Sequence, residues 1–145
     1  MDETRFCLKA LYTNTGTLRS TAEINGNPLR QALMNDGLMF IQMIVVSENF
    51  QGQKLLSPIL QCYRKMLRLL PEWLAFNDTL LLVPGAPAGP DGEPYAEMED
   101  DRVEDLLETI YAKPTIDFQT IVRQAQVSNV RIRVMGRRVQ NPGEP

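Results

Sequence analysis

The segment LMFIQMIVVSENFQGQKLLSPILQCYRKMLRLL, residues 38–70, determines how the rest of the chain is arranged. Residues 38–46 are almost all apolar and rich in β-branched side chains, which is typical of a strand that is covered on both faces. A polar turn with one glycine follows at residues 47–54. Residues 55–70 are predicted to form a helix with one buried stripe, because their apolar side chains recur at intervals of one, three or four residues: Leu55, Leu56, Ile59, Leu60, Tyr63, Met66, Leu67 and Leu70.

A strand, a turn and a helix in this order create a position at the start of the helix that suits a bound anion. At the start of a helix the first backbone N–H groups have no partner within the helix, and the helix dipole is positive there. Both features favour a phosphate group placed over the turn. A strand, turn and helix with one glycine also occurs in many α/β domains, so the pattern by itself leaves a purely structural role open.

The composition is that of an ordinary globular protein. The chain has 145 residues, of which 43% are hydrophobic and 23% charged, with a net charge of −3. We expect a single domain at residues 1–139 and a disordered tail at 140–145. The negative charge gives no reason to expect nucleic-acid binding, and no apolar run is long enough to cross a membrane. The acidic first residues do not resemble a signal peptide, so we expect a cytoplasmic protein.

The chain contains no histidine and only two cysteines, Cys7 and Cys62. The absence of histidine excludes Ser-His-Asp and Cys-His catalytic pairs within this chain. It also argues against a zinc site, because two cysteines cannot supply the usual four ligands. Cys62 could in principle be a nucleophile, but we expect it to be a spectator thiol on the long helix.

The elements before the central segment are expected to begin with two strands. Residues 6–13 and 17–24 show imperfect alternation, and the Asn14–Gly16 sequence between them is typical of a hairpin turn. A short helix is expected at residues 29–34, since Pro28 suits the first turn of a helix.

After the long helix, residues 79–83 form a second wholly apolar run. A helix separates it from the first strand, so we expect the two strands to pair in parallel through a crossover connection. Residues 84–94 contain four prolines and three glycines and are expected to form a loop. The acidic residues at 97–105 begin the next helix, which extends to Tyr111. They are expected to cap and solvate that helix, although a basic acceptor could also use them.

The last two strands are expected at residues 120–126 and 130–139. In the final strand three apolar side chains alternate with Arg131, Arg133 and Met135, so one face is predicted to be buried and the other basic. We expect these arginines to form a solvated face, with an anion site as the alternative. The complete order indicates an α/β or α+β fold, with one parallel strand pair at the centre of a mixed sheet.

The central segment and the order of elements after it resemble a known family. The string VVSENFQGQKLLSPILQCYRKML is similar to the cofactor-binding segment of the GNAT (N-acetyltransferase) superfamily, in which a strand leads into Arg/Gln-x-x-Gly-x-Gly/Ala and a helix. The downstream order is also similar: the short strand TLLLV, a helix that closes in Tyr (LLETIYAK), and two antiparallel strands ending in VMGRRV. The likeness covers about residues 6–139. It implies a GNAT-like sheet that is mostly antiparallel, with flanking helices.

The resemblance also implies a function. The co-substrate would be acetyl-CoA or another acyl-CoA, and the acyl group would move to an amine of a small molecule or peptide. The family's pantetheine arm pairs with the edge of the central strand, here Ile44, Val45 and Val46. Tyr111 matches the family tyrosine that protonates the departing thiolate. The CoA pyrophosphate would lie over the turn and helix start, at Gln51, Gly52, Gln53, Lys54, Leu55 and Leu56.

The chain departs from the family pattern at several positions. Lys54 stands where the family has its core glycine, and Leu56 stands where it has Gly or Ala. Glycine allows a backbone to approach a phosphate closely, whereas the Lys54 side chain could either compensate through its ammonium group or obstruct the groove. The helices that line the acceptor site in the family have no counterpart before the first strand. Glu23 and Glu48 are the candidates for a general base.

Two other functions remain open from the residues alone. The first is a GNAT-like fold that lacks acetyl transfer and acts as a binding or assembly partner or in another reaction. The second is an unrelated α/β interaction domain, in which Tyr111 is simply a core tyrosine. A homodimer is compatible with all three functions.

Overall fold

The computed structural model describes residues 2–34, 38–42, 44, 54–74, 79–86 and 89–140. These residues form five α-helices and four β-strands, here named in chain order. The helices are α1 (Glu3–Leu11), α2 (Ala22–Asn25), α3 (Arg30–Leu33), α4 (Leu56–Arg68) and α5 (Asp100–Tyr111), and the strands are β1 (Met39–Ile41), β2 (Thr79–Leu82), β3 (Gln119–Val127) and β4 (Val130–Arg138). 3₁₀ helices of three and seven residues occur at Glu72–Leu74 and Gly89–Tyr95.

The four strands form one mixed sheet in the order β1-β2-β4-β3. β1 and β2 are parallel, with Phe40 opposite Leu81, and α4 lies between them in the chain. β2 pairs with β4, and β4 with β3, in antiparallel fashion. The α+β class, the parallel pair and the final antiparallel pair are therefore confirmed. Among the described strands β1 is at the edge, so the parallel pair occupies one side of the sheet rather than its centre.

The second strand follows the sequence prediction closely, and the long helix follows it in part. The buried stripe predicted for the helix is wrong at Ile59, Met66 and Leu70, which are exposed. α4 buries Leu60 and Leu67, which are seven residues apart on one side of the helix. All four residues of β2 are buried, as expected for a strand with both faces covered. α5 begins with Asp100 and with a second aspartate, whose charges suit the positive end of the helix dipole.

The predicted strand at residues 6–13 is wrong, because this segment belongs to helix α1. The Asp2 side chain accepts a hydrogen bond from the Arg5 N–H and caps the helix. Cys7, Ala10 and Leu11 are buried at helical spacing, on the side of α1 that packs against the sheet. The buried apolar residues of α1 recur every three to four residues, which fits a helix. The alternation that suggested a strand is imperfect and does not produce a continuous apolar face on a strand.

The predicted partner strand at residues 17–24 is also wrong. Only one isolated bridge forms, between Tyr12 and Leu18, and the chain then enters the short helix α2, whose N-cap is Thr21. The turn itself is present, since the Thr13 N–H donates to the Thr17 carbonyl and Gly16 adopts a φ of +81°. A tight turn is therefore retained without the two strands.

The sheet separates two apolar cores, and β2 contributes to both through alternate side chains. The α1-side core is formed by Cys7, Ala10, Leu11, Ile24, Leu29, Leu33, Leu81, Ile121, Val122, Val127, Ile132 and Val134. The α4-side core is formed by Leu60, Leu67, Leu80, Leu82, Ile116, Phe118, Met135 and Val139. Helices α1–α3 contribute to the first core and α4 to the second.

The predicted solvated basic face of β4 is wrong for one of its two arginines. Arg131 is exposed, but Arg133 is only 5% exposed, and a third arginine of the strand, Arg137, is only 1% exposed. Arg137 donates to the backbone carbonyls of Ile116 and Arg138, and Arg133 pairs with acidic side chains of α5. Buried guanidinium groups require such partners, and the alternation of β4 could not reveal that α5 supplies them.

Within the described part of the chain, no helix is long and apolar enough to cross a membrane. The same residues contain no group of three or more His, Cys, Asp or Glu side chains arranged to hold a metal ion. The greater part of the expected tail, residues 141–145, lies outside the described residues.

Candidate functional site

The site implied by the turn before α4 is described only in part. Ile44, Lys54, Leu55 and Leu56 are described, and Tyr111 is described at the end of α5. The other predicted cofactor-binding residues, together with the candidate base Glu48, lie outside the described residues: Val45, Val46, Gln51, Gly52 and Gln53.

Lys54, two residues before α4, has the backbone conformation that favours glycine. Its φ is 55°, in the left-handed region that β-carbon-bearing residues adopt uncommonly. This is the position at which the family resemblance places a core glycine. The chain therefore keeps the backbone turn that glycine would favour while carrying an exposed ammonium group on that turn.

The start of α4 leaves backbone donors without helical acceptors. Leu55 is the N-cap residue, and no side chain caps this end of the helix. The first amide of the helical pattern is that of Ile59, which donates to the Leu55 carbonyl, so the N–H groups of Leu56 and Ser57 have no acceptor within the helix. The Ser57 hydroxyl donates to the Thr115 carbonyl at 3.2 Å, which ties this end of α4 to the connection between α5 and β3.

Tyr111 is half-buried at the C-terminal end of α5. Its ring meets the Phe118 ring edge-on, with 6.2 Å between centroids, and its carbonyl accepts the Phe118 N–H. Burial raises the pKa of the Tyr111 phenol, and the nearby Tyr95 adds to the effect. The hydroxyl makes no hydrogen bond to another described residue. The phenol therefore stays protonated at neutral pH.

The structure brings three of the predicted residues to one apolar cluster. Ile44, Leu56 and Tyr111 all pack against the α4-side core. The start of α4 and the end of α5 are thereby joined to the same part of the sheet. Among the described residues, the pairing of β1 with β2 ends at Ile41, three residues before Ile44.

Glu23, one of the two candidate bases, has a structural partner. Its carboxylate accepts the backbone N–H of Arg123 at 2.9 Å, on the outer edge of β3. Asn27 donates to the Thr120 carbonyl on the same strand at 3.1 Å. These two side chains satisfy backbone groups of an edge strand, which is how proteins protect a sheet edge from pairing with other chains. The geometry gives Glu23 this role and not that of a base beside Tyr111.

A charged cluster that the sequence interpretation missed links α5 to the sheet. Arg133 lies 2.9 Å from Asp105, 3.0 Å from Glu108 and 3.7 Å from Glu104. Two further ion pairs, Arg123 with Glu108 and Arg131 with Asp101, lie beside it and border a cleft of about 250 Å³. The sequence does contain a signal for this cluster, because four acids recur on one side of α5 at positions i, i+3, i+4 and i+7: Asp101, Glu104, Asp105 and Glu108.

The chemistry of this cluster is that of a fixed ion-pair network. Burial raises the pKa of Glu104, and the charge of Arg133 acts in the opposite direction. Each arginine of the cluster has an acidic partner within 4 Å. The sequence pattern predicts that the acids at 97–105 mainly cap and solvate helix α5. Three acids of α5 instead hold the helix onto β4 through one buried guanidinium group.

Comparison of the chain with protein-family models, with curated proteins and with solved structures finds no match.

Proposed function

We propose that this chain is an acyl-CoA-dependent N-acyltransferase that moves an acetyl or other acyl group to an amine of a small molecule or peptide. The observation that carries the proposal is the backbone at Lys54. A φ of 55° immediately before an uncapped helix is the geometry expected where the resemblance places a phosphate-binding glycine.

The order of elements also supports the proposal. β1, α4, β2, α5 and the antiparallel pair β3–β4 follow one another in the order on which the GNAT resemblance rests. Leu56 at the start of α4 and Tyr111 at the end of α5 both pack against the α4-side core.

The described residues fit a bound pyrophosphate. The N–H groups of Leu56 and Ser57 would donate to phosphate oxygens, and the exposed Lys54 ammonium would add a charge. Leu56 departs from the small residue of the family, but its side chain packs against the α4-side core. In this proposal the phosphate would meet the backbone N–H of Leu56 and not its side chain.

The bound acyl-CoA would supply a thioester carbonyl for attack by the amine. Tyr111 would hold the proton that the sulfur needs when the carbon–sulfur bond breaks. A phenol with a raised pKa keeps that proton at neutral pH until negative charge develops beside it. The half-buried ring, held against Phe118, would keep the hydroxyl in a fixed direction.

The test is a calorimetric titration of the full chain with acetyl-CoA. The wild type should bind, and Lys54→Glu should weaken binding by about 10- to 100-fold, because a charge-assisted hydrogen bond worth about 1.5–3 kcal/mol is lost. Lys65→Glu is the matched control, since it makes the same charge change on an exposed residue nearer the end of α4. The control should bind nearly as well as the wild type.

A folded wild type that fails to bind at millimolar acetyl-CoA would contradict the proposal. That result would favour the alternative, a GNAT-like domain without acyl transfer that acts in binding or assembly. One observation favours this alternative: large apolar side chains are exposed on and after α4, among them Met66, Leu69 and Trp73.

A further inference from the structure

The surface of α4 and the turn after it carries a concentration of exposed apolar side chains, here named the α4 stripe. Met66 is 60% exposed, Leu69 is 84% exposed and Trp73 is 79% exposed. Ile59 and Met66 are seven residues apart, so they lie on the same side of α4. The complete stripe consists of Ile59, Met66, Leu69, Leu70, Trp73 and Leu74.

The α4 stripe is a second apolar face, additional to the one that holds the helix on the sheet. The first face is formed by Leu60 and Leu67, which are buried in the α4-side core. At roughly 200 Å² for a fully exposed large side chain, the exposed fractions of the stripe correspond to about 700 Å². The largest apolar patch on a typical monomer is only about 300–600 Å². As a sum over six residues, the area is the most that one continuous patch here could expose, and it is comparable with the largest patches of monomers, which are often functional.

We propose that the α4 stripe is the interface of a symmetric homodimer, in which two copies of the chain pack stripe against stripe. A two-fold contact requires a patch that is complementary to itself, and six uncharged apolar side chains meet that requirement. The area of about 700 Å² is close to the roughly 800 Å² that each partner contributes to a standard stable interface.

The spacing along α4 supports a contact between helices. Ile59, the exposed Cys62, Met66 and Leu69 are separated by three, four and three residues. Alternation of three and four is the spacing at which two helices pack lengthwise through one seam. The interface would therefore run along α4, with Trp73 near one end of the helix.

The charges of the region give a second copy and an anionic occupant opposite dependences on salt. α4 carries Arg64, Lys65 and Arg68 and no acid, so two copies bring like charges to the rim of the interface. Salt screens such repulsion, and the dimer should therefore become tighter as ionic strength rises. An acidic protein partner would bind less tightly under the same change.

The dimer can be measured without any probe from outside, because Trp73 is the only tryptophan in the chain. The measurement is sedimentation equilibrium of the full chain over a dilution series, with tryptophan emission recorded on the same samples. We expect the mass to rise from 16.4 kDa to twice that value. The emission of Trp73 should shift to shorter wavelength over the same concentration range, as the indole leaves water. Neither result depends on the acyl-transfer proposal.

Leu69→Glu should remain monomeric at every concentration, because the charge would have to be buried in the interface. Leu8→Glu is the matched control: Leu8 is 45% exposed on α1, away from the stripe, and its replacement should leave the dimer intact. If Leu69→Glu does not fold, alkylation of Cys62 in the wild type provides an independent measurement. Its rate should fall as the protein concentration rises.

Three results would overturn the proposal. The first is a wild type that stays at 16.4 kDa at about 100 µM, well above the micromolar dissociation constants at the weak end for an interface of this area. The second is a dimer that persists unchanged in folded Leu69→Glu. The third is a monomer whose Trp73 emission shifts only on addition of anionic phospholipid vesicles, which would assign the stripe to a membrane surface.

Discussion

The guanidinium of Arg133 lies 3.0 Å from the carboxylate of Glu108, and both side chains are largely withdrawn from water. The same carboxylate reaches Arg123 at 2.9 Å, so one glutamate on α5 joins two strands of the sheet. Asp105 completes the environment of Arg133 at 2.9 Å. The position of α5 over β4 therefore depends on charge compensation around a single buried arginine.

Replacement of Arg133 should be destabilising. In Arg133→Leu the carboxylate of Glu108 keeps Arg123 as its partner and Asp105 is 63% exposed, so the expected loss is about 1–3 kcal/mol, less than for a buried charge left without any partner. Arg131→Leu is the control, since its pair with Asp101 is exposed on both sides and should contribute less than about 1 kcal/mol. Urea unfolding of the two variants measures the difference. Equal losses would show that the Arg133 network does not hold α5 in place.

Truncation of the buried face of α4 should also destabilise the fold. Leu60→Ala and Leu67→Ala should each cost about 2–5 kcal/mol, because both side chains are buried in the α4-side core. Lys65→Ala, on an exposed position of the same helix, should cost less than about 0.5 kcal/mol. The sequence pattern places Arg64 outside the buried stripe of α4. Arg64 is nevertheless not a suitable control, because its guanidinium donates to the Val139 carbonyl at 3.3 Å. Similar unfolding midpoints for the leucine variants and Lys65→Ala would contradict the register of α4.

The buried thiol of Cys7 should make stability depend on pH in the alkaline range. Burial, together with the charge of Glu3, raises the pKa of Cys7 to about 12. The unfolded thiol loses its proton at lower pH than the folded one, so the unfolded state binds fewer protons between the two pKa values. The contribution of Cys7 is therefore complete below about pH 9 and is lost as pH rises towards 12, by at most about 1.4 kcal/mol per pH unit.

The measurement is the free energy of unfolding from pH 8 to pH 11 for the wild type, Cys7→Ala and Cys62→Ser. Cys7→Ala should start at lower stability, because it leaves a small cavity, but it should decline less steeply with pH. Cys62→Ser, which removes a thiol that is exposed in the folded state, is the matched control and should keep the stability of the wild type at pH 8. A Cys7→Ala curve that runs parallel to the wild type would show that the Cys7 thiol ionises equally in both states.

Tyr111→Phe tests the proposed acid once acyl transfer has been measured. The change keeps the ring against Phe118 and removes only the hydroxyl. If Tyr111 protonates the leaving thiolate, turnover should fall by about 10²–10⁴-fold, with little change in acetyl-CoA affinity. Because the hydroxyl makes no hydrogen bond to another described residue, the melting temperature should change little. The measurements are steady-state kinetics and a melting curve for the same variant, and unchanged kinetics would remove Tyr111 from the mechanism.

Local sequence pattern was sufficient for the types of element in the second half of the chain. α4, β2 and β4 each carry a strong signal, either a helical stripe or a continuous or alternating apolar run. Burial follows the prediction throughout β2 only, because Met66 on the predicted buried face of α4 is exposed and Arg133 on the predicted solvated face of β4 is buried. The parallel pairing of β1 and β2 also followed from the sequence. A helix between two strands leaves a crossover as the natural connection.

The first half of the chain was not predictable in the same way. The apolar residues of segment 3–11 are compatible with both the period of a strand and the period of a helix. Packing of Cys7, Ala10 and Leu11 against the sheet makes the helix the more stable conformation. The strands of that sheet that α1 contacts, β3 and β4, are formed by residues more than 100 positions later in the chain. A short segment with two compatible patterns takes the conformation that its distant partners can bury.

For the candidate site, the sequence by itself determined the residue types and their order: a turn before a helix, a lysine at the glycine position, and a tyrosine at the end of α5. Only the tertiary structure decided that Lys54 has a left-handed backbone, that Leu56 and Tyr111 share one core, and that Glu23 is occupied by the Arg123 amide. It also decided that Arg133 is buried. The periodicity of a strand predicts which side chains share a face. Which element covers that face is determined by long-range packing and by the need to compensate a buried charge.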